Sequence, residues 1–346
     1  MLIRIRWWFY SQNITTQAFK KHQITWGNFG FYGDLILMNT RIKVIGVGGA
    51  GCNAVQYMFD SNIKGVQLIS ANTDSYALNK NSAKIKILLG EKLTRGRGGS
   101  NNPKIGREAA LESINDICDA IGDAEMLFVF AGMGGGTGTG GAPVVAQIAK
   151  EMGILTVGVV TKPFGFEGIK RSKAADDGIS ELKRYVDCLL TIPNDCALGL
   201  APKKASFLDM LQIPHELFSH AVKSISDVLN SEGLVNLDLA DIRTIISKSG
   251  LAAIGRGFDK GENRARHAVQ SAIFSQPLQD VPLDRAKAIL YNITAPRDVT
   301  ITEIDTIAKA IHDNAPNAYN IIFGVVFDDN IGDGLSVTIF ALGIDA

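Results

Sequence analysis

The chain has 346 residues, which predicts about two domains at roughly 150 residues each. Apolar residues make up 46% of it and charged residues 20%, a balance typical of globular proteins and unlike that of disordered chains. Its 35 basic residues match its 35 acidic ones, which argues against a nucleic-acid binder without sequence preference, and no apolar run approaches the roughly 18 residues that cross a bilayer.

Residues 1–37 differ from the rest of the chain. They begin with the aromatic and basic run MLIRIRWWFY, and no periodic element is predicted before Met38. The run lacks the apolar centre and small-residue cleavage site of a signal peptide. Two interpretations remain: a disordered extension, or upstream sequence translated in error with Met38 as the natural start. A membrane-surface anchor is a third, less favoured alternative.

From Ile42 onward, short apolar strands alternate with segments of helical period. The predicted strands are Ile42–Val47, Val66–Ala71, Ile85–Leu89, Met126–Ala131, Ile154–Val160 and Cys188–Ile192. The predicted helices are Cys52–Phe59, Lys104–Ile121, Pro143–Glu151 and Gly168–Tyr185. Such alternation predicts a parallel sheet covered by helices on both faces, with ligands at the carboxyl ends of the strands.

The second half of the chain predicts a long helix followed by a smaller domain. One helix is predicted over Leu208–Leu229, with Pro214 placed in its first turns. Helices then follow at Leu239–Ser249, Glu262–Phe274 and Ile301–Asp313, and strands at Ala286–Ile293, Tyr319–Phe327 and Leu335–Leu342. The predicted fold class is α/β: a parallel Rossmann-like domain (38–205), a long central helix (206–232) and a smaller C-terminal α/β domain (233–346).

A first glycine loop follows the first strand. Residues 46–51 read GVGGAG and open a helix, where backbone N–H groups and the helix dipole can hold phosphate oxygens. Alone, this pattern also suits a dinucleotide-binding unit, with Asp74 as the acidic ribose ligand of a nicotinamide-dependent oxidoreductase. A turn chosen only for close packing of strand and helix is the third alternative.

A second glycine loop distinguishes these alternatives. Residues 132–141 read GMGGGTGTGG and contain seven glycines, which cost much chain entropy to order. A loop that wraps an anion explains them better than a simple connection does, and two such loops on one sheet indicate a triphosphate held from both sides. The chain has no G-x-x-x-x-G-K-[ST] motif, so a P-loop NTPase is not indicated.

With these motifs in place, the sequence resembles the tubulin/FtsZ superfamily of polymerising GTPases, and bacterial FtsZ in particular. The resemblance is carried by GGGTGTG at 134–140, with IGVGGAGCNAV at 45–55, NTD at 72–74, TKPFGFEG at 161–168, TIPND at 191–195 and NLDLAD at 236–241. It covers about Ile42 to Gly343.

The resemblance implies GTP and GDP as ligands, with Mg²⁺, in a GTP-binding domain completed by a C-terminal activation domain. It implies that the phosphates, ribose and guanine are bound by Gly48, Gly49, Ala50, Gly51, Asn53, Asp74, Gly99, Ser100, Gly135, Gly136, Thr137, Gly138, Thr139, Gly140, Glu167, Arg171, Asn194 and Glu216. A solvated i,i+4 ion pair is the plain alternative for Glu167 with Arg171.

The resemblance also implies a catalytic loop at Asn236, Asp238 and Asp241, which reaches from one subunit into the nucleotide pocket of the next. Carboxylates repel a triphosphate, so within one subunit this loop would oppose nucleotide binding. Across an interface a carboxylate can orient the attacking water. Helix capping is the alternative for Asp238, which precedes the helix predicted from Leu239.

Four positions depart from the family pattern. Ser100 and Asn101 stand where small residues usually approach the γ-phosphate, Leu211 stands where an aromatic usually meets the base, and Glu216 stands where the family has a guanine-binding Asp, with His215 before it. An acid at Glu216 can still accept from the guanine N1–H and amino group, so we expect guanine preference with altered geometry.

Three functions are therefore compared. The favoured one is a self-assembling GTPase of bacterial cell division that forms head-to-tail filaments; a filament subunit or regulator with little GTPase activity is the second, and the oxidoreductase is the third. Expected partners are further copies of the chain and other division proteins, with no nucleic acid and no direct membrane insertion. Because the sequence stops at Ala346, the family's C-terminal tether-docking peptide is expected to be absent.

The four cysteines are scattered and include no C-x-x-C pair. They predict a reducing compartment, so we expect a bacterial cytoplasmic protein that acts at the division site.

Overall fold

A computed structural model describes residues 40–197, 206–230, 233–235, 237–247, 249–275, 278, 281 and 283–344. The predicted extension over 1–37 and the catalytic candidate Asn236 lie outside the described residues. In chain order the strands are β1 (Ile42–Val47), β2 (Val66–Asn72), β3 (Ile85–Leu88), β4 (Met126–Gly132), β5 (Leu155–Lys162), β6 (Cys188–Pro193), β7 (Gly233–Val235), β8 (Gly250–Lys260), β9 (Ala288–Ala295), β10 (Asn320–Phe327) and β11 (Gly334–Leu342).

The helices lie between these strands along the chain. They are α1 (Gly48–Asp60), α2 (Ser75–Lys80), α3 (Glu91–Thr94), α4 (Pro103–Glu112), α5 (Ile114–Ile121), α6 (Thr137–Glu151), α7 (Ile169–Leu182), α8 (Phe207–Asn230), α9 (Leu239–Ile246), α10 (Arg264–Ile273) and α11 (Ile301–Asn314). Within the described residues, no helix is both long and apolar enough to span a membrane. The four cysteines are free thiols.

The strands form one sheet in the order β3-β2-β1-β4-β5-β6-β8-β11-β9-β10-β7. Strands β1 to β6 are all parallel, as the alternation of strands and helices predicts. Strands β1, β4 and β5 are buried along almost their whole length and are mostly apolar, because helices cover both faces. The loops after β1, β4, β5 and β6 therefore meet at one edge of the sheet, which we call the carboxyl edge.

Strand β8 joins the two halves of the molecule. It pairs in parallel with β6 on one side and antiparallel with β11 on the other, so the sheet continues from the first half into the second. The sequence analysis did not predict this strand and expected the halves to be connected through a helix. The strand carries Gly255 and Gly257, where a Cβ would lie 2.2 and 1.9 Å from carbonyl oxygens of α10, so its glycines serve close packing of helix on strand.

The central helix α8 confirms the long helix predicted from the sequence. Its buried face enters the main core, where Phe218 meets Phe130 of β4 edge to face with ring centroids 5.1 Å apart. Pro214 was expected in the first turns of this helix, and it is the eighth residue, about two turns from the start. Burial of the surrounding helix face offsets the backbone hydrogen bond that proline cannot make.

Two other predicted helices have different bounds. The predicted helix over Lys104–Ile121 is divided at Ser113, whose backbone leaves the helical conformation and whose hydroxyl accepts from the Gly90 amide at 3.0 Å. Helix α6 begins at Thr137, inside the glycine run, and not at Pro143. Part of that run is therefore helix, and the loop is shorter than the sequence indicates.

Candidate functional site: a cleft at the carboxyl edge

A cleft of about 460 Å³ opens at the carboxyl edge of the parallel strands. It is lined by residues from the loops after β1, β4, β5 and β6, from the loop before α4, and from α8: Gly49, Ala50, Gly99, Ser100, Asn101, Gly132, Met133, Gly135, Gly136, Thr137, Gly138, Thr161, Pro163, Glu167, Arg171, Asn194 and Leu211. Eleven of the predicted nucleotide-binding residues are among them. The two glycine loops, together with the loop before α4, thus come together at the edge where the sequence predicts a ligand.

The first glycine loop contains two glycines that are tightly packed against the backbone and one that borders open space. A Cβ on Gly46 would lie 2.2 Å from the Gly51 oxygen, and one on Gly51 would lie 2.5 Å from the Phe130 oxygen, so both positions require glycine for close packing. A Cβ on Gly49, in contrast, would meet no protein atom within 4 Å. The first turn of α1 has no capping side chain and no acidic residue, so its N–H groups face the cleft side of the loop.

The second loop leads into α6, whose amino terminus is also uncapped. Gly136 holds the N-cap position, makes no side-chain capping bond, and is followed by no acidic residue in the first turn. A Cβ on Gly135 would meet nothing within 4 Å, so the space next to this backbone belongs to the cleft. Two uncapped helix amino termini that face one cleft favour binding of an anion with several negative charges.

Other residues of the glycine run hold the structure together. A Cβ on Gly140 would lie 1.9 Å from the Pro103 oxygen, and one on Gly138 would lie 2.6 Å from the Gly132 oxygen. The Thr139 hydroxyl accepts from the Gly134 amide at 2.9 Å, and the Thr137 hydroxyl lies 2.7 Å from that of Thr73. Gly48, Gly51, Thr139 and Gly140 are not among the cleft-lining residues, and their contacts shape the loops behind it.

The opposite side of the cleft carries an ion pair and polar side chains. The Arg171 guanidinium lies 2.8 Å from the Glu167 carboxylate, and Glu167 also accepts from the Phe164 amide at 2.8 Å. Asn194 follows the end of β6, and Leu211 reaches the cleft from α8. This side offers a cation, an amide and an apolar contact, which suit a sugar and a base.

Three predicted nucleotide-binding residues lie elsewhere. Asn53 is exposed on α1 and is not among the lining residues. Asp74 caps α2, where its carboxylate accepts from the Ala77 amide at 3.0 Å. Neither side chain lines the cleft.

Glu216 is the third, and it faces the second half of the molecule. Its carboxylate lies 3.5 Å from the His220 imidazole and 3.8 Å from the Arg256 guanidinium of β8. The hydrogen bond from His220 lowers the pKa of Glu216, electrostatic attraction to His220 and Arg256 lowers it further, and partial burial opposes these effects. Burial lowers the pKa of the neighbouring His215 to about 4, so its imidazole is neutral near pH 7.

The predicted catalytic acids lie at the other edge of the sheet. Asp238 and Asp241 form a capping box on α9: the Asp238 carboxylate accepts from the Asp241 amide at 2.8 Å, and the Asp241 carboxylate accepts from the Asp238 amide at 3.3 Å. The Arg243 guanidinium of the same helix donates to the Glu125 carbonyl at 3.4 Å, directly before β4. The cleft follows the far end of β4, about 23 Å away for seven strand residues.

The described residues include no group of three or more His, Cys, Asp or Glu side chains that could hold a metal ion. Glu167 is the carboxylate among the cleft-lining residues, and it is already paired with Arg171. Mg²⁺ in proteins commonly keeps several waters and binds through substrate phosphates. The cleft therefore fits a cation that arrives with a nucleotide better than one held by protein ligands alone.

Six cleft-lining residues are not in the predicted nucleotide-binding set. Two of them, Asn101 and Leu211, are positions already named as departures from the family pattern, and the other four are Gly132, Met133, Thr161 and Pro163. All four lie at the ends of β4 and β5 or directly after them. Their signal in the sequence was position alone: Gly132 and Met133 adjoin the motif GGGTGTG, and Thr161 and Pro163 lie within the motif TKPFGFEG.

Comparison with known proteins identifies the class of this fold and site. The family model of the Tubulin/FtsZ family GTPase domain matches residues 41–202. The model of the FtsZ family C-terminal domain matches residues 250–345. Together they cover both halves of the sheet.

Two relatives of high similarity are both named cell division protein FtsZ. Cell division protein FtsZ of Coxiella burnetii is 43% identical over 312 residues, which are 90% of this chain and 81% of the relative. The protein of that name from Pseudomonas aeruginosa is 45% identical over 313 residues, 90% of this chain and 79% of the relative. Among solved structures, an empty FtsZ dimer from M. jannaschii has a TM-score of 0.84 and 39% identity, covering 90% of each chain.

The chain therefore belongs to the FtsZ family. It is an FtsZ-type GTPase of cell division with a tubulin-like fold, and binding of GTP and GDP follows from its GTPase domain. Self-association into a homopolymer is consistent with this family. CetZ1 from Haloferax volcanii, at 21% identity and a TM-score of 0.75, shares the fold. The oxidoreductase interpretation, which depended on the first glycine loop alone, receives no support from these matches.

Proposed function

We propose that this chain assembles head to tail and hydrolyses GTP in a site that two subunits share. The cleft of one subunit holds the nucleotide, and α9 of the next subunit brings Asp238 and Asp241 to it. The chain would then act in the bacterial cytoplasm at the division site, together with other division proteins. In this arrangement residues 38–205 bind the nucleotide, the helix at 206–232 connects, and residues 233–346 activate the neighbour.

The separation of the two edges carries this proposal. The acids lie beside the start of β4 and the cleft lies beyond its end, so they cannot reach the nucleotide of their own subunit. A contact between the acid edge of one copy and the cleft of another is heterologous, and such contacts repeat into filaments when they do not close. The arrangement also keeps the carboxylates away from bound triphosphate until a neighbour arrives.

The chemistry requires an acceptor for the attacking water. Both Asp238 and Asp241 are exposed, and their capping bonds leave a carboxylate oxygen available on each. Such an oxygen can accept a proton of the water as it attacks the γ-phosphorus, while the bond to the β–γ bridging oxygen breaks. Mg²⁺ bound with the nucleotide would neutralise phosphate charge.

Within the cleft we assign the anion to the amino termini of α1 and α6, with Gly49, Gly135 and Gly136 next to the phosphates. Arg171, Asn194 and Leu211 lie on the side left for ribose and base. Gly48, Gly51, Thr139 and Gly140 support the loops behind the cleft. Glu216 would have to leave His220 to reach the base.

Trans-complementation between two variants tests the shared site. Asp241→Asn keeps an oxygen that can accept from the Asp238 amide but loses the charge, so we expect normal GTP binding and turnover lower by a factor of roughly 10² to 10⁴. Gly135→Val places its side chain in the cleft, where no protein atom lies within 4 Å of the Cβ, and should not bind GTP. Each variant alone should be inactive, and their mixture should regain GTP hydrolysis measured as phosphate release.

The control is a single chain that carries both substitutions. This double variant has neither an intact acid nor an intact cleft. Mixed with either single variant, it cannot supply the part that the single variant lacks, so activity should stay low. A mixture of the single variants that co-sediments but remains inactive would contradict the shared site. The same holds if the specific activity of the parent is constant from dilute to concentrated protein.

A further inference from the structure

The cleft offers no free carboxylate among the described residues that line it. Guanine presents two neighbouring donors, its N1–H and its amino group, and one carboxylate can accept from both. Glu167 is the carboxylate among the lining residues, and both of its oxygens are engaged. One lies 2.8 Å from the Arg171 guanidinium, and the other accepts from the Phe164 amide at 2.8 Å.

Asp195 lies next to Asn194 in the chain, but its side chain is bound to a neighbouring loop. It is exposed, it does not line the cleft, and both of its oxygens accept from the Gly165 amide at 3.2 Å. This acid therefore stabilises the loop after β5 and is not directed at a ligand in the cleft.

Glu216 is the remaining candidate acid, and it lies on a different face of α8 from the cleft. Leu211 lines the cleft from this helix and Glu216 follows it by five residues, so their side chains are about 140° apart around the helix axis. The Glu216 carboxylate lies 3.8 Å from the Arg256 guanidinium, whose side chain is 28% exposed and forms no other ion pair within the described part of the chain. Turning Glu216 toward the cleft would leave a largely buried cation without its carboxylate, which is costly.

Asn194 is the polar side chain left on the base side of the cleft. Its backbone is fixed after β6, because its amide donates to the Lys162 carbonyl at 3.0 Å and its carbonyl accepts from the Ala197 amide at 2.9 Å. The residue lines the cleft, and its carboxamide has no hydrogen-bond partner among the described residues. A carboxamide offers one acceptor oxygen and one donor nitrogen. It can therefore pair with the N1–H and the O6 of guanine, which leaves the amino group without a protein partner.

We propose that Asn194 reads the base through N1–H and O6 alone, so that this chain binds guanine and hypoxanthine nucleotides equally well. Hypoxanthine has the same N1–H and O6 as guanine and lacks only the amino group. A site without an acceptor for that group gains nothing from its presence. This specificity differs from the expectation in the sequence that Glu216 accepts from the amino group. The inference rests on the assignment of the cleft to the nucleotide given above.

Calorimetric titration of the full chain with GDP and with inosine diphosphate (IDP) tests the inference, because neither ligand is consumed by GTP hydrolysis. The two affinities should be equal within about twofold. A carboxylate that accepted from the amino group would instead favour GDP by roughly tenfold to a hundredfold, the effect of one charge-assisted hydrogen bond. A preference for GDP of that size would overturn the inference.

Asn194→Asp supplies the missing acceptor with almost no change of shape. Its carboxylate can accept from both N1–H and the amino group, so the ratio of GDP to IDP affinity should rise to about tenfold or more. Asn115→Asp is the matched control, because Asn115 is exposed on α5 and does not line the cleft. Its ratio should stay that of the parent. A folded Asn194→Asp variant with an unchanged ratio would overturn the role of Asn194.

Two further variants keep the inference falsifiable if Asn194→Asp does not fold. Asn194→Ala should weaken GDP and IDP binding by the same factor, and loss of only one of the two would contradict the proposed contacts. Glu216→Gln should keep the parental affinity for GDP. A tenfold loss there would mean that Glu216 leaves Arg256 for the base, which overturns the inference.

The outcomes also distinguish this inference from the proposed function. A parent chain that binds neither GDP nor IDP refutes the assignment of the cleft to the nucleotide. A parent that binds both but prefers GDP tenfold leaves that assignment intact and overturns only the account of base recognition.

Discussion

Two junctions in this molecule join the end of a strand to the start of a helix, and they differ in how the amino terminus of the helix is satisfied. In the first half, β4 ends in a loop that leads to α6; in the second half, β9 ends in a loop that leads to α11. Both helices follow the carboxyl end of a strand; β4 pairs in parallel with both neighbours, whereas β9 pairs in parallel with β10 and antiparallel with β11. At α6 the N-cap is Gly136, without a side-chain bond. At α11 the Thr300 hydroxyl accepts from the Glu303 amide, and Glu303 bonds back to the Thr300 amide at 2.8 Å.

The polar groups near the amino terminus of α11 are bound by other groups of the chain itself. The Arg264 guanidinium is only 7% exposed and donates to Glu303 at 2.7 Å, to Asp298 at 3.0 Å and to the Asp333 carbonyl at 2.9 Å. The donors and acceptors there satisfy one another. At α6 the corresponding donors are open to the cleft. We therefore expect a helix amino terminus that follows a strand to bind a ligand where no side chain of the protein caps its N–H groups. Substitutions at the two junctions test this difference.

The largest effect is expected at the open junction. Gly135→Val should weaken GTP binding by about a hundredfold or more, equal to roughly 2.8 kcal/mol, because the side chain occupies the space next to the α6 terminus. The unfolding temperature without nucleotide should match that of the parent, since the new Cβ meets no protein atom. Calorimetric titration with GTP measures the loss, and Gly135→Ala should give a smaller one. Parental affinity in the valine variant would remove the ligand from this junction.

The closed junction should respond in stability and not in binding. Glu303→Gln removes the charge that Arg264 contacts, which should lower the free energy of unfolding at pH 7 by about 1.5 to 3 kcal/mol. GTP affinity should be unchanged. Denaturant unfolding of the variant and the parent measures the difference.

The same pair predicts a pH dependence. The hydrogen bond from Arg264 lowers the pKa of Glu303 below its ordinary value of 4.5. Its stabilisation is thus complete above about pH 4.5 and is lost as the pH falls through the lowered pKa of the folded state. The difference in unfolding free energy between parent and Glu303→Gln should therefore shrink between pH 5 and pH 3. A difference that stays constant over this range would assign the effect to packing.

The smallest effect is expected at the cap of the closed junction. Thr300→Ala should cost about 1 kcal/mol of stability, and Thr300→Gly only a few tenths, because glycine leaves the helix terminus open to water. Neither change should alter GTP binding. Urea unfolding of both variants checks the order, and equal losses would mean that the capping bond contributes little.

The sequence alone determined the elements whose signals are local. Strands β1 to β6 were predicted within about two residues at each end, because buried parallel strands are continuous apolar runs bounded by turns. The cleft was predicted at the carboxyl edge because glycine loops after two parallel strands must meet there. Eleven predicted binding residues line it, since each lies in a loop whose position follows from its strand.

Only the tertiary structure decided those features that depend on contacts between residues far apart in the sequence. β8 carries glycines that a local pattern assigns to turns, and only its pairing with β6 and β11 makes it the strand that joins the two halves. Gly140 looks like part of an anion loop in the sequence, yet its missing Cβ makes room for the Pro103 carbonyl. Glu216 faces Arg256 and not the cleft because the opposite faces of α8 meet different halves of the molecule. Periodicity specifies which residues share a face, but the neighbour that covers each face is chosen by packing across the whole chain.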